Sequence, residues 1–198
     1  ATDGPSLARR IRRMAERRWR SFLRLCCFLL LTAVSVPLGA GQTVVSYTGG
    51  TYSENFDGMG AAGTSAPEGW YVGYGVPVTN TVVALGDGSS GPTGTAGWSY
   101  GTTASSERAL GTAPTSTGVP AGASDSRRIV VRIRNDTGQF ITAFTALYDG
   151  EEWRTHGTGT AELLTMQYSF DGSNYTAMPA QFTFTMPVTA PTGTALDG

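Results

Sequence analysis

Asp149, Glu151 and Glu152 set three carboxylates within one short stretch, directly before Trp153 and Arg154. Two neighbouring carboxylates are the equipment of glycoside hydrolysis, one as acid and the other as base or nucleophile. The spacing argues against that use. Successive side chains of a strand point to opposite faces, so Glu151 and Glu152 cannot both flank one bond, and no Glu-x-Asp-x-x-Glu run is present. The same parity puts Glu152 and Arg154 on one face as a structural ion pair and turns Trp153 inward. His156 is the single histidine, in a Thr-His-Gly-Thr-Gly loop, and no Gly-x-Ser-x-Gly elbow offers it a nucleophile. No catalytic residue is assigned, and the chain is read as having no enzyme within residues 1–198.

Binding is the other chemistry open to these residue types. Trp98, Tyr100, Trp153 and Tyr175 could stack on sugar rings, although aromatic residues on strands more often fill a core. Asp87, Asp136, Asp149 and Asp171 stand in turns beside Gly or Thr. Turn chemistry accounts for each of them. Loop aspartates also hold Ca²⁺ in exported β-proteins, but the dense alternation of oxygen ligands that such a loop uses is missing. No cofactor is assigned.

The elements that would position these residues are strands. Past residue 41 no segment carries helical periodicity, and 27 Gly with 10 Pro interrupt the chain too often for a helix to run. Short alternating runs separated by turn clusters predict an all-β fold. Strands are expected at residues 43–47, 52–56, 68–72, 79–85, 106–111, 129–134, 139–148, 161–170, 175–178 and 181–186. Trp98 and Tyr100 fall in an expected Gly/Ser/Thr loop over 86–101. Segment 139–148 is apolar on both faces and reads as the central strand. Arg127, Arg128, Arg132 and Arg134 read as a solvated strand face. Two loops of about fifteen residues suit the sheet-to-sheet crossovers of an antiparallel jelly-roll sandwich, with an immunoglobulin-like sandwich as the other arrangement.

Residues 1–41 are of another kind. They hold eight of the fourteen basic residues, all Arg, followed by a charge-free apolar stretch at 25–36 and the small residues Gly39, Ala40 and Gly41. The apolar stretch is shorter than the ~20 residues of a membrane span. Basic, apolar and small-residue regions in that order make a hydrophobic signal helix, cleaved after Ala40 or Gly41. The domain assignment is therefore an extension with signal peptide over 1–41 and one β-sandwich domain over 42–198. Cys26 and Cys27 both lie in the leader, which leaves the exported part without a disulfide. That part has six arginines, no lysine and thirteen acids, a net charge of −7. Nucleic-acid binding needs a basic patch and is not expected, nor is membrane association once the signal is removed.

Seven short motifs follow one another in the chain: Tyr-Ser-Glu-Asn-Phe-Asp from Tyr52, Pro-Glu-Gly-Trp ending at Trp70, Ser-Ser-Glu-Arg-Ala-Leu-Gly from Ser105, Asn-Asp-Thr-Gly from Asn135, Tyr-Asp-Gly-Glu-Glu-Trp-Arg from Tyr148, Met-Gln-Tyr-Ser from Met166 and Ala-Leu-Asp-Gly from Ala195. In this order they resemble a β-sandwich domain of large exported bacterial surface proteins, of the kind found with PEP-CTERM sorting tails, lamin-tail or nuclease modules. The resemblance spans nearly all of residues 42–198 and brings no catalytic residues with it. It implies further strands after Ala-Leu-Asp-Gly, so a domain truncated at its C-terminal end is expected, with an uncovered edge; Ca²⁺ stays an option in the complete domain. The functional expectation is a non-catalytic, secreted or cell-surface module that binds extracellular polysaccharide or cell-surface components, or serves as structure there. The alternative is an accessory domain of a larger secreted hydrolase or nuclease.

Overall fold

The computed structural model describes residues 42–90, 97–113, 127–155, 163–187 and 193–196. The expected leader with its cleavage site, and His156, lie outside the described residues. Two compact units divide the chain. The described residues of one are Ile141–Gly150, and those of the other lie within Ala33–Phe140 and Glu151–Gly198.

Among the described residues the second unit holds every strand, and these residues are all-β. The strands are β1 (Val45–Tyr47), β2 (Trp70–Gly73), β3 (Ala84–Gly86), β4 (Trp98–Tyr100), β5 (Ala109–Gly111), β6 (Arg128–Val131), β7 (Ile133–Asn135), β8 (Leu163–Thr165), β9 (Gln167–Tyr168), β10 (Thr176–Ala177) and β11 (Thr183–Thr185). Helical geometry among the described residues is limited to two single 3₁₀ turns, Asp57–Met59 and Ala180–Phe182. None of the described segments is a helix long and apolar enough to cross a membrane.

The pairing is mixed, which corrects the purely antiparallel expectation. β2 pairs antiparallel with β6, with Val72 opposite Ile129, while β8 pairs with β11 and β9 with β10 in the same sense. β1 and β7 run parallel, and so do β3 and β4, while β4 and β5 run antiparallel to complete a three-stranded sheet in the order β3-β4-β5. Parallel neighbours need a long connection, and the Gly-rich stretch after β3 supplies it.

The core gathers around β2. Met59, Val72, Val83 and Leu110 form its buried cluster, with Phe56, Ala66, Trp70 and Ile129 packed against it. Burying each such aliphatic side chain contributes about 1.5–3 kcal/mol. Trp70 packs against this cluster from one side. Its ring meets Phe56 edge-to-face at 4.8 Å, and its indole N–H donates to the Tyr52 hydroxyl at 2.7 Å.

Three expectations fail in informative ways. Residues 52–56 are not a strand: Glu54 Oε1 accepts the Phe56 amide at 2.8 Å, and Asn55 Oδ1 accepts the Asp57 amide at 3.2 Å. Polar side chains that bond nearby backbone, Asn55 above all, draw it away from a ladder. Segment 139–148 joins no strand or bridge in the described structure, and Phe140, Phe144 and Leu147 are exposed. Apolar alternation sets which faces a strand would bury, but a strand exists only with a paired neighbour. The 129–134 strand is interrupted at Arg132, whose amide donates to Gly69 O and whose carbonyl accepts from Val45 N, so this one residue links β2's entry to β1.

Arg134 is exposed as expected, but the other three arginines are half-buried and not a solvated face. Arg127 lies over the Tyr74 ring at 4.8 Å, Arg128 over Tyr175 at 5.4 Å and Arg132 over Tyr71 at 4.6 Å. Arg132 also donates to Val78 O at 2.7 Å, and Arg134 pairs with Asp136 at 2.9 Å. Alternation alone gives no hint of the tyrosines waiting on neighbouring segments.

Candidate functional site

Three of the four aromatic candidates come together. Trp98 and Tyr100 stand on β4 two residues apart, hence on one face. They are not in a loop as their Gly/Ser/Thr surroundings suggest. The Trp98 and Tyr100 rings are 5.9 Å apart between centroids with planes 19° apart, and Tyr100 and Trp153 are 6.3 Å apart at 8°. The result is a row of three nearly parallel rings, indole–phenol–indole, with spacings in the range of favourable aromatic pairs.

Glycine makes the row possible. Gly86 on β3 pairs with Tyr100, and Gly111 on β5 pairs with Trp98. A Cβ at Gly86 would come within 2.9 Å of the Trp98 ring and 3.0 Å of the Tyr100 ring, and one at Gly111 within 2.5 Å of Tyr100. A side chain at Gly111 would displace the Tyr100 ring, and one at Gly86 would crowd both rings.

Trp153 reaches the row from a separate segment. Residues 153–155 run against 193–196: Thr155 N donates to Thr194 O at 2.9 Å, Gly193 N to Thr155 O and Leu196 N to Trp153 O, both at 3.0 Å. Gly88, with φ of +77°, lets the chain pass against the Trp153 carbonyl. Arg154 locks the same junction, because its NH1 donates to Gly88 O at 2.7 Å and its guanidinium lies where a Cβ of Gly193 would be. The expected Glu152–Arg154 ion pair is therefore not formed; a carbonyl two loops away holds the arginine, and Glu152 makes other contacts. Among the described residues the ion pair is Arg134–Asp136.

The three rings differ in exposure. Trp98 is buried at 8 % exposure, while Tyr100 and Trp153 are half-buried. Burial pushes the Tyr100 phenol up to about 12, against the opposing pull of the Arg127 and Arg154 guanidinium groups. Trp153's indole N–H donates to Glu151 Oε2 at 2.9 Å on the exposed side. Residues 151–153 lie outside the strands, so strand parity does not apply to Glu151 and Glu152. Tyr175 lies apart from the row, under Arg128.

The turn aspartates serve their own turns. Asp87 accepts from Ser89 N at 2.9 Å, from the Ser89 hydroxyl and from Thr103 Oγ1 at 3.2 Å, and the Ser89 hydroxyl first of all holds its carboxyl below the usual range. Asp171 accepts the Ser173 and Asn174 amides at 2.8 and 2.7 Å in the β9–β10 hairpin, and the Asn174 N–H lowers it most. Ser46 and Arg134 lower Asp136. No group of three metal-ligating side chains occurs among the described residues.

One structural residue escaped the sequence reading. Arg108 is buried, and its amide donates to Asp57 Oδ1 at 3.1 Å, its Nε to Gly60 O at 3.2 Å and its NH2 to Ala61 O at 2.7 Å. It joins the Ser-Ser-Glu-Arg motif to the Asn-Phe-Asp motif. The signal was present, because Arg108 shares strand parity with the core residue Leu110. Compared with protein-family models, curated proteins and solved structures, the chain matches none.

Proposed function

We propose that residues 42–198 form a jelly-roll-type β-sandwich module of an exported or cell-surface protein that binds extracellular polysaccharide without acting on it. Cleavage of a signal peptide near Ala40 or Gly41 would free it. The observation that carries the reading is the near-parallel row Trp98–Tyr100–Trp153 across β4 and its neighbour segment. Rings held parallel by a glycine-lined sheet offer an apolar surface to the C–H face of a pyranose. Trp153, half-buried and with its indole edge at the surface, is the ring a sugar would meet first. Buried Trp98 backs the row and fixes its plane. The preorganised rings lose little freedom on binding, which favours affinity.

The test is depletion of the soluble protein by insoluble polysaccharides, with Trp153→Ala and Tyr175→Ala as paired variants. The reading expects retention of the native protein, at least tenfold weaker retention of Trp153→Ala, and no change for Tyr175→Ala. Equal retention of Trp153→Ala and native protein would overturn it.

A further inference from the structure

The exposed edge of the aromatic row carries one carboxylate. Glu151 is exposed, and its only hydrogen bond among the described residues is the one that its Oε2 accepts from the Trp153 indole N–H at 2.9 Å. That bond sets the carboxylate beside the ring edge and leaves Oε1 without a hydrogen bond among the described residues, on an exposed side chain. An ionised carboxylate only accepts hydrogen bonds, and its two oxygens can take two donors side by side. Two adjacent equatorial hydroxyls of a hexopyranose are such a pair of donors.

The balance of charge bears on the charge of the ligand. All six arginines of residues 42–198 lie among the described residues, and each guanidinium has a hydrogen-bond or ring partner there. Arg108 and Arg154 are held by backbone carbonyls, Arg127, Arg128 and Arg132 by tyrosine rings, and Arg134 by Asp136. There is no lysine, and the net charge of these residues is −7. A carboxylated or sulfated glycan would bring its charge to Glu151, whose carboxylate is paired with no guanidinium among the described residues, and like charges brought together disfavour a partner.

We infer, on the basis of the glycan-binding reading above, that Glu151 is the specificity-determining residue of the row. It selects neutral hexopyranosides with adjacent equatorial hydroxyls and rejects polyuronates and sulfated chains. Trp153 supplies the stacking surface and at the same time orients the carboxylate through its indole N–H.

Native affinity gels containing hydroxyethyl cellulose, galactomannan or polygalacturonate test this, with native protein, Glu151→Gln and Trp153→Ala run side by side. The expected result is retardation of the native protein by a neutral glycan and at least tenfold weaker retardation by polygalacturonate. Glu151→Gln is expected to weaken neutral binding about fivefold and to narrow the gap to polygalacturonate, since the amide has lost the charge and one acceptor. Equal or stronger native binding to polygalacturonate, or neutral binding indifferent to Glu151→Gln, overturns the role of Glu151 while glycan binding itself stands. Absence of retardation in all three gels overturns the glycan-binding reading and this inference with it.

Discussion

Replacing Arg108 by Met should cost this fold a large share of its stability. The side chain is buried at 6 % exposure and gives Nε to Gly60 O at 3.2 Å and NH2 to Ala61 O at 2.7 Å. Hydrogen bonds from a charged donor contribute about 1.5–3 kcal/mol each, and the longer of these belongs at the low end. Methionine retains much of the aliphatic stem, so the cavity left is small. Ala61 is exposed and water can reach its carbonyl, which trims the loss. The backbone bond from Arg108 N to Asp57 Oδ1 survives the change. The expected destabilisation is about 2–4 kcal/mol. With a urea m-value of about 2 kcal/mol/M, the unfolding midpoint falls by about 1–2 M at constant m. The thermal midpoint falls by about 6–12 °C for the middle of that range. Urea titration followed by tryptophan fluorescence reads this directly, because Trp70 packs on the same cluster through Phe56. A midpoint shifted by less than about 0.3 M would refute the reasoning that Arg108 ties the two motifs together.

Other outcomes follow from the same structure. Gly111→Val should displace the Tyr100 ring, which a Cβ there would meet at 2.5 Å, and should weaken glycan retention at least fivefold with a changed near-UV dichroism; Gly58→Ala, in open space, is the matched control and should change neither. Tyr100 stays neutral in the folded protein up to about 12, while an unfolded tyrosine ionises near 10. The unfolded state therefore loses its proton first, and this contribution to stability is present below pH 10 and lost as pH rises toward 12. Absorbance at 295 nm should show one tyrosine lagging the others, and the lag should vanish in Tyr100→Phe. Asp171 has its carboxyl lowered by the Asn174 amide, so its contribution is full above the unfolded value near 3.8 and declines as pH falls below it. Asp171→Ala should flatten the fall of the thermal midpoint between pH 4 and pH 2.5, and an unchanged slope would count against the turn's role.

Much of the fold was legible in the chain, and the failures share a cause. β1, β2, β5 and β6 fall where alternating residues predict them, because Val72, Leu110 and Ile129 have a buried side to fill. Trp98 and Tyr100 read as loop because Gly and Ser surround them, yet those glycines are what the rings need as neighbours on β3 and β5. Segment 139–148 read as the central strand from its apolar faces, but periodicity names no partner. Residues 52–56 alternate well and still do not pair, because Glu54 and Asn55 bond their own backbone. Of the site, residue type alone picked out all three rings together with Tyr175. Only tertiary placement separated them, since Arg128 takes Tyr175 and the strand β4 aligns Trp98 and Tyr100 with Trp153. The expected partner of Arg154 failed for the same reason, as a carbonyl at Gly88 leaves no trace in local sequence.

The central claim concerns one ring, and its indole N–H reports on it. Trp153 donates to Glu151 at the surface, whereas Trp70 donates to Tyr52 beside the core. Titration of ¹⁵N-labelled protein with a soluble neutral oligosaccharide of β-linked hexopyranose, with the indole signals assigned through Trp153→Phe, separates the two. The account predicts a saturable shift of the Trp153 indole resonance with the Trp70 resonance unmoved. No shift at Trp153, or an equal shift at Trp70, would contradict it.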